Sequence, residues 1–258
     1  PHRRRRGKQL HHFWQGNACA PDLQSEVATR ALLCDYALRL EDEGCTLARN
    51  CMRTWFFVQN VDVNYSGVVK GRNEVFATNG LTRDTHFIAS TGICGRHADP
   101  RVAVTMDTYA VDGLRDGQHG YLYAPDYLNP TYEYGVSFER GAYIDYGDRR
   151  HVLISGTASI NNEGKIMYPG DIRRQTMRMW DNVHALLDEA GCSWDNVGHI
   201  IVYLRDLSDY AVVNSMFRER FPDIPHVIVL APVCRPGWLV EMECMAVKPC
   251  HNESYARF

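Results

Sequence analysis

The chain has 258 residues, is 45% hydrophobic and 23% charged, and carries a formal net charge of −3, the composition of a soluble globular protein able to bury a substantial core. That balance gives no general attraction to nucleic acid, and the local run Arg3-Arg4-Arg5-Arg6 reads as a solvated arm. No apolar run reaches the ~18 residues of a membrane span and the first residues have no apolar signal core, so no membrane partner and a cytoplasmic location are expected.

In chain order, Val27, Ala31, Cys34 and Leu38 recur at helical spacing and predict a helix that Gly44 ends. Strands are predicted over 53–60 and 102–110, and the Gly, Tyr and Pro-rich stretch from 112 to about 130 reads as a linker. Beyond it, 152–160 predicts a strand. Asp171 then caps a helix with apolar positions Ile172, Thr176, Met179, Val183, Leu186 and Ala190, closed by Gly191. A strand over 199–204, a shorter helix over 210–221, a strand over 227–233 after Pro225 and a final strand over 240–247 complete a β-α-β-α-β-β order. The first half repeats it: Gly44 stands for Gly191, 53–60 for 200–206, Phe76 for Phe221 and 102–110 for 238–246. The expectation is two copies of one α+β unit, with lobes at 1–125 and 126–258.

The last strand places Glu241 and Glu243 among Val240, Met242, Cys244, Met245, Ala246 and Val247. Strand alternation puts both acids on one face, where burying a charge is costly unless something pairs or uses it. If Glu241 lines a closed pocket, its proton affinity rises and it can exchange protons near neutral pH; if the face is solvated, both acids are ordinary surface groups. Aligning the copies sets Thr105 opposite Glu241 and Asp107 opposite Glu243. A catalytic half and a supporting half would look like this, and so would drift in a structural repeat.

The nine cysteines are never spaced as CxxC and fall mostly in periodic apolar segments, so they read as reduced core thiols. The eleven histidines include no HExxH helix, and the His11-His12 pair is a weak metal signal; no metal is expected. The triplets Asn64-Tyr65-Ser66 and Asn252-Glu253-Ser254 match the glycosylation pattern but mean little in a cytosolic chain.

Ser155-Gly156, Gly170-Asp171, Gln175-Thr176, Asn182-Val183, Ala190-Gly191-Cys192, the run Val202 to Asp206, Asn214, Phe221-Pro222 and Leu239 to Glu243 stand in the order and spacing of a Rid (YjgF-like) domain. On these motifs the second half resembles that family, and the first half is a weaker relative. The resemblance implies a chorismate-mutase-like fold in each lobe, a homotrimer or pseudo-trimer, ligand sites in clefts between neighbouring domains, and imine or enamine hydrolysis in many members. Rid deaminases hold a substrate carboxylate with an arginine about fifteen residues before the first glutamate, where this chain has His226 after Pro225. An imidazole does not replace a bidentate guanidinium, which demotes imine deamination to an alternative.

A second resemblance rests on Gly156-Thr157-Ala158-Ser159-Ile160, Ala89-Ser90-Thr91-Gly92-Ile93, Arg53-Thr54-Trp55, Arg72-Asn73 and Cys234-Arg235. These features are similar to those of chorismatases, two-lobed enzymes with a Rid-like second half. That likeness implies release of pyruvate from chorismate or a related enol-ether carboxylate, by hydrolysis or elimination, without cofactor or metal. It implies Glu241 as the proton donor and Cys234 in the ring pocket. The candidate ligands of a small carboxylate-bearing metabolite are Arg53, Arg72, Thr91, Gly92, Gly156, Thr157, His226 and Arg235. A non-catalytic metabolite-binding protein is the remaining reading.

Overall fold

The structure, a computed structural model, describes residues 2–6 and 9–258. The first sheet holds β1 (His2–Arg6), β2 (Gln9–Ala18), β3 (Cys51–Val58), β4 (Ala89–Cys94) and β5 (Val104–Val111). Three helices, α1 (Ser25–Glu41), the short α2 (Leu47–Asn50) and α3 (Val61–Thr78), connect them. The second sheet holds β6 (His119–Leu122), β7 (Gly141–Asp145), β8 (Arg149–Ala158), β9 (Val197–Leu204), β10 (His226–Leu230) and β11 (Val240–Pro249), with α4 (Ile172–Glu189) and α5 (Tyr210–Arg220).

The strand orders are β1-β2-β5-β3-β4 and β10-β9-β11-β8-β7-β6. They coincide when β2 is set on β8, β3 on β9, β4 on β10 and β5 on β11. Each lobe is therefore the α+β unit expected, with one parallel pair, β3 with β4 and β9 with β10, reached by a crossover helix.

Local signals explain the second lobe well. Asp171 accepts from the Arg174 amide at 3.0 Å and caps α4, and Gly191 takes φ +69° beyond its end. Thr176, Met179, Val183 and Leu186 are buried against the sheet. The first lobe corrects the sequence reading. Val27, Ala31, Cys34 and Leu38 lie on the exposed face of α1, and the buried stripe is Ala28, Leu32, Leu33, Tyr36 and Leu40. Two apolar stripes share this helix, and the one with the larger side chains faces the core. Cys34 is accordingly a surface thiol.

Two further positions differ from expectation. The stretch read as a linker contains β6, which pairs with β7 and joins the second sheet ahead of residue 126. The basic run is not a free arm: its backbone forms β1, the edge strand paired with β2. The side chains of Arg4, Arg5 and Arg6 lie outside the described residues. Among the described residues no helix is long and apolar enough to cross a membrane.

The lobes share structure in two places. Met52, Tyr109, Val111, Ile144, Tyr146 and Leu153 form an apolar cluster drawn from both lobes. Separately, β4 docks on the second lobe, with Ala89 bridging Glu139 and Ile93 bridging Val233. The second contact brings residues 89–93 beside the 233–241 region.

Candidate active site

Strand β11 runs between β8 and β9, with Glu241 opposite Ala158 on one side and Tyr203 on the other. Thr105 on β5 pairs with Phe57 on β3 as Glu241 pairs with Tyr203 on β9, so it holds the equivalent place in the first lobe. Glu241 and Glu243 are only 4% and 5% exposed. Their face is a buried wall between lobes, not a solvated one.

Glu241 borders a cavity of about 40 Å³ between β4, β8, β11 and the segment ahead of β7. At Gly156 a Cβ would lie 2.3 Å from Glu241 Oε1, so a side chain there would displace the carboxyl. At Gly92 a Cβ would meet the Tyr65 ring at 2.8 Å, so this glycine lets α3 bring Tyr65 to the cavity. Tyr134, Phe138 and Trp238 complete an aromatic lining, with the Cys234 thiol beside them.

Three guanidinium groups face this space: Arg72 from α3, Arg140 just before β7, and Arg235. Among the described residues none of them has a carboxylate ion-pair partner. Arg72 is 1% exposed, and its Nε and Nη2 have no hydrogen-bond partner. Arg140 donates through Nη2 to the Asn129 carbonyl at 2.8 Å. Arg235 lies over the Tyr134 and Trp238 rings at 4.3 and 4.9 Å. Arg72 and Arg140 are buried and Arg235 is half-buried, and buried cations without a carboxylate partner suit an anionic ligand.

Burial, with the neighbouring Glu243 charge second, pushes the Glu241 carboxyl up to about 8 against the opposing pull of Arg53 and Arg140. It is therefore a neutral acid at pH 7. Burial pushes the Cys234 thiol up to about 12, which makes it a wall rather than a nucleophile. Tyr65 is raised well above the usual phenol range by burial. Glu243 is held differently, accepting from Arg53 Nη2 at 2.8 Å, from Trp55 Nε1 at 2.8 Å and from the Thr91 hydroxyl.

The pattern of the Endoribonuclease L-PSP family matches residues 140–248. A RutC family protein of Pyrococcus abyssi is 36% identical over 99 residues, covering 38% of this chain and 78% of the relative. The chain belongs to the Rid (RutC, YjgF-like) family. A RutC family protein of Pyrococcus horikoshii is 32% identical over 99 residues, 38% of this Rid-family chain and 79% of that relative. A crystal structure of chorismatase superposes with a TM-score of 0.78 over 95% of this chain and 76% of that one, at 20% identity. At that identity the likeness concerns the fold, and it extends over both lobes.

In this Rid-family chain, Glu241, Cys234, Arg72, Gly92, Gly156 and Arg235 converge on the cavity. Thr91 also lines it, but its hydroxyl is engaged by Arg53, Glu243 and the Gly156 amide. Arg53 departs from the sequence reading: it lies on the far side of Thr91, bound to Glu243, and borders a separate apolar cavity. Thr157 also departs from it, because strand alternation turns it away from Gly156's face and its hydroxyl donates to the Ser155 carbonyl at 2.9 Å. His226 is the third departure. It sits on β10, separated from β11 by β9, and its ring bonds the Ile224 carbonyl at 2.9 Å.

Sequence reasoning missed Arg140, Tyr65, Tyr134 and Phe138. Tyr65 stood only in a glycosylation-like triplet, and the other three precede the first strong strand signal of the second lobe. Trp238 donates to the Ser159 carbonyl at 3.1 Å and also lines the cavity under Arg235. Among the described residues no group of three or more His, Cys, Asp or Glu is arranged to hold a metal ion.

Proposed function

We propose that this chain is a chorismatase-like enzyme that releases pyruvate from chorismate or a related enol-ether dicarboxylate, with Glu241 as the proton donor. One observation carries the reading: a carboxylic acid kept neutral by burial faces a cavity bordered by three guanidinium groups that lack carboxylate partners. Arg72, Arg140 and Arg235 supply positive charge for the ligand's carboxylates, and the aromatic walls suit a flat ring.

In the hydrolytic form of the reaction, Glu241 gives its proton to the methylene carbon of the enol ether. The electron pair of the double bond forms the new C–H bond, and positive charge develops on the adjacent ether carbon. Water adds there, its excess proton returns to the Glu241 carboxylate, and the hemiketal collapses to pyruvate and the ring alcohol. One enol ether and one water are consumed. No cofactor enters the balance.

The test is incubation with chorismate and measurement of pyruvate. Glu241→Gln is expected to lower turnover by roughly 10²–10⁴-fold with the fold retained. Glu243→Gln is expected to do less. Family membership favours a second reading, Rid-type imine hydrolysis, whose signature is ammonia released from an amino-acid-derived enamine. Ammonia release with no chorismate consumption would replace the first reading with the second. Neither product, together with a ligand-induced thermal shift, would favour a binding protein.

A further inference from the structure

The two acids of β11 are buried alike, yet their surroundings differ in kind. Glu243 receives hydrogen bonds from three side chains of the first lobe, Arg53 and Trp55 on β3 and Thr91 on β4, and Tyr203 on β9 adds a hydrogen-bonding contact from the second lobe. Among the described residues no side chain donates to Glu241, which packs against Gly156. Two carboxyls in one dry site resist double ionisation, and donors aimed at one of them decide where the negative charge settles.

The Thr91 hydroxyl makes this a fixed arrangement. Its oxygen accepts from Arg53 Nη2 at 2.5 Å and from the Gly156 amide at 2.9 Å, which occupies both lone pairs. Its single hydrogen is thereby directed to Glu243. The Thr91 methyl lies on the Gly156 side, 3.1 Å from where a Gly156 Cβ would be, so the residue stands between the two acids.

We propose that Arg53, Trp55 and Thr91 are positioning residues that confine the negative charge to Glu243 and thereby place the site's proton on Glu241. This rests on the reading of Glu241 as the proton donor. The first lobe has Thr105 in place of its own acid. Its contribution is to set the protonation of the acid on the second lobe.

Of the other groups facing the pair, Tyr203 on β9 shares in this sorting through its contact with Glu243, and the rest do not. Arg53 and Arg140 both favour the ionised form of Glu241. Arg53 is bonded directly to Glu243 and so favours the ionised form there too, whereas Arg140, ahead of β7, acts only against the sorting. Arg72 on α3 carries a further positive charge at the same cavity. Tyr203 on β9, Tyr65 on α3, Cys234 and Cys244 all have raised proton affinities through burial and stay neutral near pH 7.

The experiment is carbon-13 NMR of carboxyl-labelled glutamate in the full chain, with signals assigned through Glu241→Gln and Glu243→Gln. Near neutral pH the protonated carboxyl is expected to be Glu241. In Thr91→Val and Trp55→Phe, loss of one donor is expected to move proton occupancy toward Glu243, with a roughly tenfold change in their ratio, as one charge-assisted hydrogen bond implies. Thr91→Ser retains the hydroxyl and is expected to restore the wild-type distribution. Circular dichroism confirms that each variant is folded, and Trp55→Phe serves where Thr91→Val does not fold. A proton that stays on Glu241 to the same extent in folded variants overturns the proposal. Because this readout needs no substrate, wild-type proton placement without pyruvate release would defeat the enol-ether reading while leaving this inference standing.

Discussion

Burial denies the Glu241 carboxyl hydration and pushes it up to about 8. If it is the proton donor, kcat/KM for chorismate is expected to be flat at lower pH and to fall as pH rises through about 8, where the carboxyl ionises. A profile that rises through that range would give it the role of a base. The same shift bears on stability. Folded Glu241 keeps its proton from its ordinary 4.5 up to about 8, so its contribution is full below about 4.5 and is lost as pH rises through about 8. Glu241→Gln cannot ionise and is therefore expected to melt higher than the wild type at alkaline pH. Equal melting temperatures there would mean that the carboxyl is hydrated.

Gly156 is the steric counterpart of that acid. Gly156→Ala forces a methyl to within 2.3 Å of Glu241 Oε1, so the carboxyl must leave its place. Pyruvate release is expected to fall to the level of Glu241→Gln, while β8, paired with β11 along one edge and with β7 over Arg150–Ile154 on the other, holds the fold. Wild-type turnover in Gly156→Ala would show that the acid does not work from this position.

At the scale of elements, the segment over 131–138 forms one wall of the site through Tyr134, Val136 and Phe138. The cavity behind this wall has a volume of about 40 Å³. This segment is pinned to α3 by Asn73, which donates to the Gly135 carbonyl at 3.0 Å and accepts from the Ser137 hydroxyl at 2.5 Å. Asn73→Ala is expected to speed amide hydrogen exchange across 131–138 and to cost about 1 kcal/mol per lost bond. Unchanged exchange there would mean that packing on Phe138, not Asn73, holds the wall.

At the scale of the molecule, two apolar surfaces stay open. One is the outer stripe of α1, with Val27 and Leu38 at 42% and 61% exposure; the other is edge strand β10, with Val227 and Leu230 at 50% and 59%. An open strand edge beside exposed apolar side chains favours association. The homotrimer expected from the family resemblance is proposed on this ground. Light scattering at micromolar concentration is expected to give a multiple of the 29.5 kDa chain mass, and monomer alone would reject it.

What the sequence determined by itself was whatever rests on local chemistry and repetition. The β-α-β-α-β-β unit was readable because Asp171, Gly191 and the apolar spacing of α4 act within a few residues of one another. The pairing of Thr105 with Glu241 was readable because both lobes keep one register. Burial of the acids was left open, since alternation places two side chains on one face without saying what covers that face. Only the docking of β4 on the second lobe decided it. The same contact gave Arg53 to Glu243 rather than to a ligand, and brought Tyr65, Arg72 and Arg140 to one cavity from distant parts of the chain. Such proximity arises from the packing of two sheets, and no spacing along the chain encodes it.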